Sequence, residues 1–152
     1  MKSVDKELVS NFSSEQHRLV VNIMYTADWI STKVSEAVKS KGVTNVQYNI
    51  LRILLGSSPN CLSVGNVKKR LINKNADVTR LLDRLEQKKL ISRTLCPENR
   101  RQVDVGITDS GIHLMKELSP LMESALDNYY DQVLLSDECK ISNELLDRIR
   151  NH

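Results

Sequence analysis

Apolar residues recur at helical spacing over residues 14–40, where Leu19, Ile23, Ala27, Ile30, Val34 and Val38 share one face. Ser13 or Ser14 can cap this segment, and Gly42 ends it as a left-handed C-terminal cap would. Such a helix is roughly 40 Å long, more than a small domain needs for its own core. A new helix start follows at once. Thr44 is the cap, Gln47 completes a capping box, and Val43 can staple onto Tyr48. Ile50, Leu51, Ile53 and Leu54 then form the apolar face. After a turn at 56–60, Ser63 can cap a short helix reaching Leu71, with Gly65 a local weakness inside it. A turn at 73–75 leads to a helix over about 76–88 with Val78, Leu81, Leu82 and Leu85 as its stripe. The period then changes. LISRTL at 90–95 and QVDVGI at 102–107 predict two short strands, with CPENRR as the hairpin tip between them. Thr108 is placed to cap the next helix, stapled by Ile107 and Ile112, and Pro120 predicts a kink or a break in it. Ser136 is expected to cap a last helix with Ile141, Leu145 and Ile149 on one face.

The element order predicts an all-α chain with a small β-hairpin wing, in the winged helix-turn-helix arrangement. Residues 1–152 read as a single domain. Within it, 43–111 form the lobe of three helices and hairpin, and 14–40 and 112–150 are long outer helices. Those outer helices are too long and too apolar on one face to be satisfied alone, so a homodimer is expected.

Charge changes the picture more than composition does. The net charge is only +3, but residues 41–107 carry thirteen bases against five acids, while 108–152 carry four against nine. A basic middle suggests a polyanionic partner. No run approaches the roughly 18 apolar residues of a membrane span, and the N-terminus lacks a signal-peptide core, so a cytoplasmic location without membrane association is expected. Cys61, Cys96 and Cys139 are scattered, as are His17, His113 and His152, so neither a disulfide framework nor a metal site is read, and no cofactor is implied. No GxSxG, P-loop, GxGxxG or HExxH pattern occurs, which argues against an enzyme.

The candidate chemistry sits on the helix at 76–88. With its stripe facing the core, the opposite face carries Thr79, Arg80, Asp83 and Arg84, with Lys74 and Asn75 at its N-terminal turn. A helix fits the major groove of double-stranded DNA; Arg pairs with guanine and Asn with adenine there. The other reading is a surface helix with internal ion pairs, such as Asp83 with Arg80 or Lys88. The hairpin tip adds Asn99, Arg100 and Arg101, which can enter a minor groove, where the potential is most negative. A basic helix and a basic wing in tandem favour DNA.

The stretch VTRLLDRLEQKKLISRTLCPENRRQVDVGITDSG, residues 78–111, resembles the signature of MarR-type regulators. The resemblance lies in Thr79–Arg80, Asp83 to Leu85, Leu90 to Arg93, Arg100–Arg101 and Ile107 to Gly111, and extends over roughly 43–115. It implies a transcription regulator that binds a pseudo-palindromic operator, with Asn75, Thr79, Arg80 and Arg84 near the major groove and Arg100 and Arg101 in the wing. It also implies that 14–40 and 112–150 intertwine across a two-fold axis. Two positions depart from the family pattern. Asn99 stands where the wing usually has Asp, and Lys89 where a Gly usually follows the recognition helix.

Many such regulators respond to small aromatic effectors, which implies repression released by a ligand. Tyr25, Trp29, Tyr48 and Met115 are the candidate lining, and plain packing is the other reading of the same residues. Two alternatives stand beside this. One is a thiol-based redox response through Cys96, whose pKa nearby arginines would lower. The other is a winged-helix interaction module that does not bind DNA.

Overall fold

The computed structural model of the chain describes residues 3–95, 102–133 and 135–151, with 127–132 described by their backbone only. Among them the elements run α1 (Val4–Leu8), α2 (Glu15–Lys39), α3 (Asn45–Leu55), β1 (Leu62–Ser63), α4 (Val64–Arg70), α5 (Val78–Gln87), β2 (Ile91–Leu95), β3 (Val103–Ile107), α6 (Asp109–Val133) and α7 (Ser136–Arg150).

Local chemistry accounts for most of the boundaries. The Ser14 hydroxyl accepts from the His17 N–H at the start of α2, and Gly42 follows its end at φ 69°. Before α3 the capping box is reciprocal. Thr44 Oγ1 accepts from the Gln47 N–H at 3.3 Å, and Gln47 Oε1 accepts from the Thr44 N–H at 3.0 Å. Gln47 is buried, so this exchange also satisfies a polar side chain inside the lobe. Ser63 caps α4.

Four expectations change. Helix α5 begins at Val78 instead of about 76, with the Asp77 carboxylate accepting from the Arg80 N–H, and Lys74 and Asn75 lie in the turn before it as expected. The sheet has three strands in the order β1-β3-β2, because Leu62 and Ser63 pair with Val105 and Asp104. Two residues are too few for an alternation to register. Helix α6 is continuous through Pro120, so the break that was one of the two expected outcomes does not occur. Ser136 is the first residue of α7, whose cap position is Leu135 and has no side-chain cap. The short α1 was not anticipated either; Arg18 holds it to α2 through Asp5, with Nε–Oδ1 at 3.0 Å and Nη2–Oδ2 at 2.9 Å.

One apolar core joins the lobe to the long helices. Ile50, Leu51 and Leu54 of α3, Val67 of α4, Leu82 and Leu85 of α5 and Val105 of β3 are its most enclosed members, with Val38 of α2 and Leu118 of α6 closing it. The turn between α5 and β2 is fixed by backbone bonds. The Lys89 N–H donates to the Glu86 carbonyl and the Leu90 N–H to the Leu85 carbonyl, with Lys89 at φ 59°, a Schellman ending. The start of α6 lies directly on that turn. Thr108 Oγ1 donates to the Lys89 carbonyl at 2.7 Å, and a Cβ on Gly111 would sit 2.2 Å from the Leu90 oxygen.

Away from this core, α2, α6 and α7 leave Val20, Met24, Ile30, Leu121, Ile141 and Ile149 exposed on the single chain. No helix of the described residues is long and apolar enough to cross a membrane.

Candidate nucleic-acid interface

Helix α5 carries three stripes, because successive residues turn by about 100°. Val78, Leu82 and Leu85 are buried in the core. Thr79, Asp83 and Glu86 face β2. Arg80, Arg84 and Gln87 form the third stripe, fully on the outside.

The second stripe is held by Arg93 of β2. Arg93 Nη1 lies 2.7 Å from Asp83 Oδ1, Nε lies 3.7 Å from Glu86 Oε2, and Nη2 donates to the Thr79 carbonyl at 3.4 Å. The Arg93 side chain is only 22% exposed. Asp83 therefore pairs with the wing strand, and not with Arg80 or Lys88 along its own helix. Lys88 donates instead to the Gly42 carbonyl, tying the end of α5 to the turn before α3.

The consequence for the outer stripe is direct. Among the described residues Arg80 and Arg84 have no ion-pair partner, and both are exposed one helical turn apart. Lys74 and Asn75 are exposed beside them. The Lys74 ammonium donates to the Lys69 carbonyl at 2.6 Å, and the Asn75 N–H donates to Asn73 Oδ1 at 3.1 Å. The buried Asn49 fixes this connection from beneath, its Oδ1 accepting from the Ile72 N–H at 3.2 Å. Cys96, Asn99, Arg100 and Arg101 lie outside the described residues.

A lobe of three helices and a small sheet, with a paired-off acidic stripe and an open basic stripe on its third helix, is the architecture of a winged-helix DNA reader. The model of the MarR family matches residues 43–103, from the turn before α3 to the first residue of β3. Over this lobe the chain is similar to the MarR family. It is a winged-helix transcription regulator, and the relatives it matches are named as regulators too. It is 26% identical over 123 residues to the Escherichia coli HTH-type transcriptional regulator PapX, covering 81% of this chain and 74% of PapX. It is 37% identical over 82 residues to the Bacillus subtilis HTH-type transcriptional repressor MdtR, spanning about half of each chain, 54% and 52%. The crystal structure of a MarR transcription factor from Planctomyces limnophilus superposes with a TM-score of 0.68 at 29% identity, covering 92% of this chain and 96% of that one. Within this MarR-like lobe, Arg93 is the residue that reasoning from the helix alone missed. Its signal was present, as an arginine at an otherwise apolar strand start, but its partners are ten and seven positions upstream on another element.

The four aromatic and methionine candidates separate. Tyr25 and Trp29 line an open groove of about 540 Å³ between α1 and α2, together with Arg18, Asn22 and Thr26. Tyr48 packs against the main core and Met115 is buried in it. Cys61 is exposed and Cys139 half-buried. No group of three or more His, Cys, Asp or Glu among the described residues is placed to hold a metal ion.

Proposed function

We propose that this regulator acts as a homodimer that occupies a pseudo-palindromic operator in the cytoplasm and represses by occupancy, without catalysing a reaction. The observation that carries the proposal is the outer stripe of α5. Arg80 and Arg84 stand exposed and without an acidic partner among the described residues, while the acids of the same helix are engaged by Arg93. In this reading Arg80 and Arg84 meet base edges or phosphates in the major groove, with Thr79, Asn75 and Lys74 at the N-terminal end of the helix. Asn99, Arg100 and Arg101 serve the wing. The apolar residues left open on α2, α6 and α7 support the two-fold partner.

A small aromatic effector is the second element of the proposal. The groove beside Tyr25 and Trp29 supports it, with Arg18 and Asn22 as polar contacts on its wall. Tyr48 and Met115 act from the core beneath the lobe. Occupancy of the groove would change the spacing of the two lobes and lower operator affinity.

Selection of sites from random duplex DNA at near-physiological salt tests the DNA-binding reading. Two recognition helices about 34 Å apart require an inverted repeat of roughly 16–20 base pairs. Enrichment of no motif, with only salt-sensitive general binding, would refute sequence-specific regulation by the chain alone.

A further inference from the structure

We infer that Arg93 is a positioning residue for DNA recognition: it sequesters the acids of α5, so that Arg80 and Arg84 stay free for the duplex. The inference rests on the DNA-binding reading above and extends it to a residue that itself touches no DNA.

Helix α5 places four charged groups on two adjacent stripes. Asp83 and Glu86 face the wing strand, and Arg80 and Arg84 face outward. An acid three residues from an arginine on a helix lies within ion-pair reach of it. Asp83 stands in that relation to Arg80. It makes no such pair, because Arg93 holds Asp83 Oδ1 at 2.7 Å, with Glu86 Oε2 3.7 Å from its Nε. The guanidinium is the right group for the task. It is planar, always charged, and can address two carboxylates and a carbonyl from one position. Its third contact, from Nη2 to the Thr79 carbonyl at 3.4 Å, lies one turn closer to the helix N-terminus, so the group spans the whole inner stripe. Arg93 faces Val105 in the centre of the β2–β3 pairing, which anchors its backbone firmly.

Without this guanidinium two things follow. Asp83 is released to pair with Arg80 and so competes with the duplex for it. Two carboxylates also become uncompensated beside a phosphate backbone, where negative charge opposes binding. Each effect is modest on one helix, but a dimer on its operator carries both twice.

The experiment measures operator affinity by fluorescence anisotropy for the full chain carrying Arg93→Gln, Arg93→Gln/Asp83→Asn and Arg93→Gln/Asp104→Asn. Far-UV circular dichroism and a melt accompany each variant. Arg93→Gln is expected to bind about tenfold more weakly at moderate salt. Adding Asp83→Asn is expected to return most of the lost affinity, because a neutral amide cannot hold Arg80. Asp104→Asn makes the same change in net charge on β3 and is expected to return little. A folded Arg93→Gln that binds like the wild type overturns the inference. So does a double variant at Asp83 that stays weak, or equal rescue by Asp83→Asn and Asp104→Asn. If Arg93→Gln lowers helicity, Arg93→Lys replaces it in the same series. An ammonium keeps the charge but lacks the planar fork that reaches Asp83, Glu86 and the Thr79 carbonyl together, so a smaller loss with the same pattern of rescue is expected, and wild-type affinity overturns the inference. A wild-type chain that binds no duplex refutes the DNA-binding reading itself, whereas wild-type binding with an indifferent Arg93 variant refutes this inference alone.

Discussion

Replacing Lys89 by glycine tests the backbone at the end of the recognition helix. Lys89 sits at φ 59°, where an L-residue pays a steric cost of about 1–2 kcal/mol. It is kept there by two bonds, from its own N–H to the Glu86 carbonyl at 2.8 Å and from the Leu90 N–H to the Leu85 carbonyl at 3.0 Å. Glycine removes the steric term but adds freedom to the unfolded chain, which gives back about 0.5–1 kcal/mol. The lysine charge near a helix C-terminus adds a favourable contribution of about 0.3–1 kcal/mol that any neutral residue loses. The clean comparison is therefore Lys89→Gly against Lys89→Ala, because both lose the charge and only glycine loses the Cβ. Glycine should be the more stable by about 0.5–1 kcal/mol, or about 1–4 °C in Tm for a chain of this size. Melts are run at one protomer concentration, since association shifts Tm. An alanine variant as stable as the glycine variant would refute the account, for then the left-handed turn costs the native state no more than the freedom glycine adds to the unfolded chain.

Four further outcomes follow from the geometry. Gly111→Ala should destabilise the fold by about 1–3 kcal/mol or more in urea, despite alanine's better helix propensity, because its Cβ would meet the Leu90 oxygen at 2.2 Å; a neutral result would mean that α6 can lift from the α5–β2 turn. Thr44→Ala should cost about 1 kcal/mol in urea, since it breaks the capping box of α3 and strips the Gln47 N–H of its acceptor; no loss would place the stability of α3 in its packing alone. Arg84→Ala should weaken specific operator binding by about 1–3 kcal/mol and relax preference at one base pair, whereas an equal loss on all sequences would make Arg84 a phosphate contact. The Lys41 ammonium, 2.7 Å away, holds the Glu117 carboxyl below its ordinary value of 4.5, with His113 adding to the effect. A lowered native pKa gives a contribution that is full above pH 4.5 and is lost as pH falls through the lowered value. The stability difference between wild type and Glu117→Gln should accordingly vanish in acid, and a difference that persists unchanged there would contradict the pairing.

The fold was legible wherever the determinant was local. Thr44 and Gln47 lie three residues apart and form the capping box their spacing predicts. The 14–40 and 76–88 periodicities became α2 and α5, and the alternation of Val103, Val105 and Ile107 became β3. What escaped depends on partners distant in the chain. Strand β1 is two residues long and exists only because Val105 and Asp104 lie opposite it. The unbroken course of α6 past Pro120 is equally non-local, since α2 packs along that helix and supports it.

The same distinction explains how the candidate site was read. Periodicity separates the buried side of α5 from the rest, and so it grouped Thr79, Arg80, Asp83 and Arg84 as one outward face. The structure divides that face in two, because β2 lies against part of it and brings Arg93 to Asp83 and Glu86. A helix mixing acids and bases on its polar side looks nearly neutral in sequence, and a duplex has little reason to prefer it. Once the wing strand has taken up the acids, the surface left for DNA is basic and narrow. In the inference drawn above, the hairpin serves recognition through its strand, which sorts the charges of the helix beside it. Neither element presents that basic surface alone, which is a physical reason for the helix and the wing strand to occur together in one lobe.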